Sequence, residues 1–152
     1  MKNKIIVLLS AGIALWLFLI LPVIGTFIQE FLAADVLESD LKNFTVAEMK
    51  RLKINSTVVL NIIDVDDNEI PYEDKPLYCR SALIEPGRYL VELSKYFVTD
   101  ICIRHELYHI AAGHIDFDEK NRLNPLFMYF LRGFYFEPAA LWYSVIGWKQ
   151  KK

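Results

Sequence analysis

No charged side chain occurs between residues 5 and 29, and beyond residue 30 apolar and polar positions fall into short helical and extended patterns. The uncharged stretch would be about 37 Å long as a helix, enough to cross a bilayer core. Lys2 and Lys4 precede it, and Glu30, Asp35, Glu38 and Asp40 follow. The positive-inside rule then predicts a cytoplasmic N-terminus with the rest of the chain outside. The run is long for a signal peptide and lacks a small-x-small site near residues 25–27, which favours an uncleaved signal anchor.

Residues 30–53 carry Phe31, Leu32, Val36 and Leu37 at helical spacing. Thr45-Val46-Ala47-Glu48 reads as a capping box opening a second short helix that ends near Lys53. Residues 57–63 are rich in β-branched side chains and predict a strand. The acidic run from Asp64 to Glu69 predicts a solvated loop, since it lacks the glycine and terminal Glu of a calcium-binding EF-hand. Residues 77–84 and 88–93 predict a hairpin turning at Glu85-Pro86-Gly87. Tyr89, Val91 and Leu93 alternate with Leu90, Glu92 and Ser94, the period of a strand with one apolar face. Ser94 could cap the next helix, starting near residue 95 or 99 and ending at 112.

A polar segment at 116–121 reads as a turn, and Asn124-Pro125 as a helix start. Residues 126–148 are strongly apolar and aromatic but are interrupted by Arg132, Glu137 and Pro138. They predict either a second membrane span or a buried or interface-lying helix. Each charge near mid-span would cost about 2–3 kcal/mol or more.

Composition strengthens the membrane expectation. The chain of 152 residues is 54% hydrophobic and 14% aromatic, with a mean hydropathy of +0.24. The net charge of −2 is spread over both signs. No basic patch interleaved with aromatics occurs, so no nucleic-acid partner is expected. Oligomeric state is not indicated. Cys79 and Cys102 belong to no C-x-x-C pair. They suit either one disulfide outside the cytoplasm or two buried free thiols. Asn43 and Asn55 open glycosylation sequons, which matter only in a eukaryotic lumen.

All three histidines lie within residues 103–114, and His105-Glu106-Leu107-Tyr108-His109 is an H-E-x-x-H motif. Residues four apart on a helix lie about 40° apart around its axis, so His105 and His109 point the same way. Two such imidazoles can share a Zn²⁺ ion and leave a position open for water. Glu106 lies between them in angle, placed to take that water's proton. Ile101, Leu107, Ile110 and Ala111 supply an apolar helical context, and Gly113 suits a helix end.

A catalytic zinc takes a third protein ligand. The metzincin pattern fails here, because Ala112 and Ile115 stand where it needs Gly and His. Asp116 and Asp118 sit where charge is cheap. Glu137 sits among Phe134, Tyr135, Phe136, Leu141 and Trp142, where an unpaired carboxylate is costly. It is therefore the preferred third ligand, with pairing to Arg104 or Arg132 across helices as the alternative.

These residues resemble the gluzincin type of zinc metallopeptidase over about residues 95–145, most specifically at His105, Glu106 and His109. The short length is similar to single-domain peptidases related to the phage-repressor-cleaving immunity family. The membrane context is similar to membrane-embedded heat-shock and prenyl-protease peptidases and to β-lactam sensor-transducers. The chain departs from these families in having Pro138-Ala139-Ala140 where further acidic residues often follow the third ligand. The resemblance implies an α+β fold: an N-terminal transmembrane helix, then a minimal zincin domain with a short β-sheet, the H-E-x-x-H helix and a C-terminal ligand-bearing helix. The expected divisions are a signal anchor at 1–29, a helical connector at 30–56 and the metallopeptidase domain at 57–152.

The resemblance also implies a sheet edge that holds the peptide, a role that would fall to residues 88–93. It implies hydrolysis of a peptide or protein substrate at the membrane, with zinc as cofactor and Glu106 as general base. His114 or Tyr135 could donate to the developing oxyanion or support the ligands from behind. A membrane-anchored sensor or interaction module that binds zinc without turnover is the competing expectation.

Overall fold

A computed structural model describes residues 32–64, 79–121 and 124–149. The first helix, α1 (Glu38–Leu52), runs unbroken through the expected capping box. Thr45 instead donates its hydroxyl to the Leu41 carbonyl one turn back, 2.8 Å away. Glu48 is buried and belongs to a charge network rather than to a helix start. A capping box competes with a continuous helix only where the chain can leave helical geometry. Here Leu41 and Thr45 are both buried, so packing favours the longer helix.

Strands β1 (Thr57–Ile63), β2 (Cys79–Glu85) and β3 (Arg88–Ser94) form one sheet in the order β1-β3-β2. β2 and β3 are an antiparallel hairpin, turning at Pro86-Gly87 with Gly87 at φ +78°. That left-handed conformation is one only glycine adopts cheaply. β1 pairs with β3 in parallel, from Thr57 against Arg88 to Ile63 against Ser94.

β3 is therefore the central strand. The expectation that residues 88–93 form the peptide-holding edge is corrected: both sides of β3 are occupied. Its alternation does hold, with Tyr89, Val91 and Leu93 turned into the core. On the opposite face Glu92 is buried and accepts from Arg80 Nε at 2.5 Å. Its being buried on both faces suits a strand with two neighbours.

The chain next makes a short 3-10 turn at Lys95–Phe97 and enters α2 (Asp100–Ala111). The cap is Thr99, whose side chain accepts from the Cys102 amide at 3.3 Å, while Ser94 makes no capping bond. Backbone bonds from Val36 to Val98 (2.9 Å) and from Asp100 to Ala34 (3.0 Å) pin the start of α2. Cys102, Ile103, Leu107 and Ile110 of α2 pack with Leu41 of α1 and the inner face of β3 to form the core. A disulfide joins Cys79 to Cys102, with Cα atoms 6.0 Å apart, so of the two sequence expectations for the cysteines the paired one is seen.

Gly113, at φ +71°, separates α2 from α3 (His114–Lys120), which forms where a polar turn was expected. Asn124 caps α4 (Pro125–Leu131) with Pro125 in its first turn, as the sequence predicts. A π-helical turn, Arg132–Phe136, then leads into α5 (Glu137–Lys149).

The membrane expectation is corrected. Among the described residues no helix is long and apolar enough to cross a membrane. The stretch at 126–148, expected as a candidate second span, is divided among α4, the π turn and α5. Helical geometry continues from 125 to 149, and the π turn lies just before Pro138, which has no amide hydrogen and whose ring crowds the carbonyl four residues back. The backbone responds with a wider turn, in which the Glu137 amide bonds to the Arg132 carbonyl. The expected anchor at residues 5–29 lies outside the described residues, as does most of the acidic loop. The described residues thus supply neither the single-pass placement nor the transmembrane helix of the expected fold class. What the described residues form is an α+β fold with a three-stranded sheet.

Candidate metal centre

α2 and α5 pack against each other, and their contact brings together His105, His109 and Glu137. Both histidines are buried, and Glu137 leaves about half of its side chain exposed. The two imidazoles converge through Nε2, at 3.1 Å from each other. Glu137 Oε2 lies 3.1 Å from His105 Nε2, and Oε1 lies 3.6 Å from His109 Nε2. The ligand atoms of these three residues all fall within 4.8 Å of one another and could hold a metal ion.

The spacing suits a small tetrahedral ion. Bonds of about 2.0–2.1 Å in tetrahedral geometry separate ligand atoms by about 3.3 Å. The observed separations lie on either side of that value. The exposed side of Glu137 leaves the group open to solvent.

The π turn is what aims Glu137. One extra residue in a helical turn rotates everything beyond it by about 100° relative to a straight helix. The carboxylate at the start of α5 faces α2, with Oε2 beside His105 Nε2.

The competing pairings are accounted for. Arg132 bonds Asp118 through Nε at 3.0 Å. Arg104 donates to Asp100 at 2.7 Å and lies 3.8 Å from Glu48. Asp116 accepts from the Tyr89 hydroxyl at 2.6 Å, and burial, with that bond, pushes the phenol up to about 12. Neither aspartate joins the histidine pair.

Electrostatics ties the three groups together. Burial raises the Glu137 pKa, but hydrogen bonds from His105 and His109 overcome this and hold the carboxyl well below the usual carboxylate range. Burial lowers the His105 pKa, yet the bond to Glu137 and the charges of Glu106 and Glu137 leave it raised.

His114 stands on the other side of His109, its Nδ1 3.1 Å from His109 Nδ1. It stacks on Phe136 with ring centroids 4.0 Å apart. Burial, with the neighbouring His109, pushes its pKa down to about 4, so it is neutral and can accept a hydrogen bond from His109 Nδ1. A ligating histidine commonly donates its second N–H in this way. His105 departs from that habit, because its buried Nδ1 has no partner among the described residues. Tyr135 is exposed and meets the edge of the His114 ring at 6.1 Å.

Glu106 is buried beside the histidines. Its Oε2 accepts from the Ser81 hydroxyl at 2.5 Å. Sequence reasoning missed Ser81, because a lone serine in a strand signals nothing until the strand's neighbour is known. No family model, no curated protein and no solved structure matches this chain.

Proposed function

We propose that this chain is a zinc-dependent metallopeptidase of gluzincin type. The observation that carries the reading is the convergence of His105 Nε2, His109 Nε2 and the Glu137 carboxylate, with Glu106 next to them on α2. Two histidines and one glutamate are a donor set used by catalytic zinc sites that keep one position open. Zinc, when bound, supplies Lewis acidity that activates water and polarises a carbonyl. Glu106 takes the proton of the attacking water and passes it to the leaving nitrogen as the C–N bond breaks.

A peptide would lie extended along β2. Among the described residues this strand has only β3 beside it, and its other edge is unpaired. Its Ser81 already touches Glu106. Backbone pairing to a free edge holds an extended chain with little regard to its side chains.

The test compares wild type with Glu106→Gln on a proteome-derived peptide library. Glu106→Gln should retain zinc and lose turnover by about 10²–10⁴-fold. Identical cleavage patterns for the two proteins, or none for either, would replace the peptidase reading with the non-catalytic zinc-binding module. A further result is expected at His114. His114→Phe keeps the stacking on Phe136 but removes the acceptor for His109, so zinc affinity should fall by about 10–100-fold in competition with a chelator. Unchanged affinity would reduce His114 to a packing role.

A further inference from the structure

The Ser81–Glu106 bond has a parallel rung next to it. Cys79 precedes Ser81 by two residues on β2, and Cys102 precedes Glu106 by four on α2. Two residues advance a strand by about 6.6 Å, and four advance a helix by about 6 Å. The disulfide and the hydrogen bond therefore span the same gap one step apart. Leu83, two residues further along the same strand face, packs against the core cluster that includes Ile110, four residues past Glu106. β2 thus runs alongside α2 in matched register over the turns that carry the motif.

We infer that Ser81 is a positioning residue for Glu106, and that the Cys79–Cys102 bond holds it in place. The role of Glu106 as general base is taken from the peptidase reading above. The Glu106 side chain has two carboxylate oxygens and three rotatable bonds before them. The Ser81 hydroxyl occupies Oε2 and fixes the rotamer. Oε1 is then the oxygen left to receive a proton. Without Ser81 the carboxylate can turn, and small misplacements of a reacting group cost large factors in rate. The disulfide matters because, among the described residues, β2 is tied to the sheet on one side only. Its covalent bond to α2 keeps the strand from sliding relative to the helix.

The test uses Ser81→Ala, Ser81→Thr and a Cys79→Ser/Cys102→Ser double variant of the full chain. In the metal-free protein, the side-chain carboxyl ¹³C resonance of Glu106, assigned by its loss in Glu106→Gln, should move in Ser81→Ala and stay in place in Ser81→Thr. With zinc bound, kcat on a peptide cleaved by wild type should fall about 10–100-fold in Ser81→Ala, with KM and zinc content unchanged. Ser81→Thr should restore it, since threonine keeps the hydroxyl and suits a strand. Removing the disulfide should lower kcat when Ser81 is present and add nothing in the Ser81→Ala background.

An unmoved resonance, a threonine variant that fails like alanine, or a loss confined to KM or zinc content would overturn the positioning role. Additive losses would overturn the link to the disulfide. If wild type cleaves no peptide, the peptidase reading falls, and the resonance alone decides whether Ser81 orients Glu106.

Discussion

Replacing His105 and His109 together by alanine is expected to take bound zinc from about one equivalent to none. The double substitution leaves Glu137 as the single remaining donor of the group, and one half-exposed carboxylate cannot hold zinc against water. Metal analysis of the purified protein reads the result directly, and stoichiometric zinc in the double variant would refute the site. The wild-type site also carries a pH signature. Its His105 holds a proton to higher pH than a free imidazole, whose pKa is about 6.5. Zinc must displace that proton, so binding should release it near neutrality and weaken as pH falls.

Without metal the sign reverses. A raised His105 pKa and a lowered Glu137 pKa mean that the pair stabilises the fold fully between about pH 4.5, above which a free Glu carboxyl is ionised, and about pH 6.5. That contribution is lost as pH rises through the raised value. Titration calorimetry in two buffers of different ionisation heat reads the proton release, and denaturant unfolding of the metal-free protein across pH reads the lost stabilisation. Zinc binding with no proton release would contradict the paired state of His105.

The second large effect is expected behind the site. Glu48 and Arg104 are almost wholly buried, at 1% and 2% exposure. Glu48 accepts from Arg51 Nε and from the Tyr143 hydroxyl, both at 2.9 Å, and Arg104 lies 3.8 Å away. Arg104 also bonds Asp100, whose other oxygen accepts from the Ala34 amide. Burial and these bonds push the Tyr143 phenol well above its ordinary value. The network ties α1, α2 and α5 together, the last two being the helices that carry the metal group. Glu48→Ala removes the partner that α1 offers to Arg104 and Tyr143. Breaking a buried pair in this way costs about 3–5 kcal/mol. Denaturant unfolding should show a loss of that size, and a change below about 1 kcal/mol, the range of exposed ion pairs, would mean that the network contributes no more than a surface pair.

What the sequence determined by itself is local. Four-residue spacing on a helix aligned His105 with His109, because the helical period is a property of the backbone. Alternation marked the inner face of β3, Pro86-Gly87 marked the hairpin turn, and Asn124-Pro125 marked the start of α4. Glu137 stood out as a charge in an apolar run, although the structure leaves its side chain half exposed and its neighbours Phe134, Tyr135 and Trp142 exposed.

What only the tertiary structure decided is the identity of partners far apart in the chain. The order β1-β3-β2 turned the expected edge strand into the central one, and periodicity cannot report this because each strand has the same period. Asp116 and Asp118 were excluded by Tyr89 and Arg132, neighbours that no local pattern names. The bond between Ser81 and Glu106 joins residues 25 apart, and that between Tyr143 and Glu48 joins residues 95 apart. The apolar run at 126–148 had the composition of a span, but a π turn just ahead of Pro138 interrupts its α-helical register. Composition sums side chains without regard to order, whereas the π turn lies beside one missing amide hydrogen at one position.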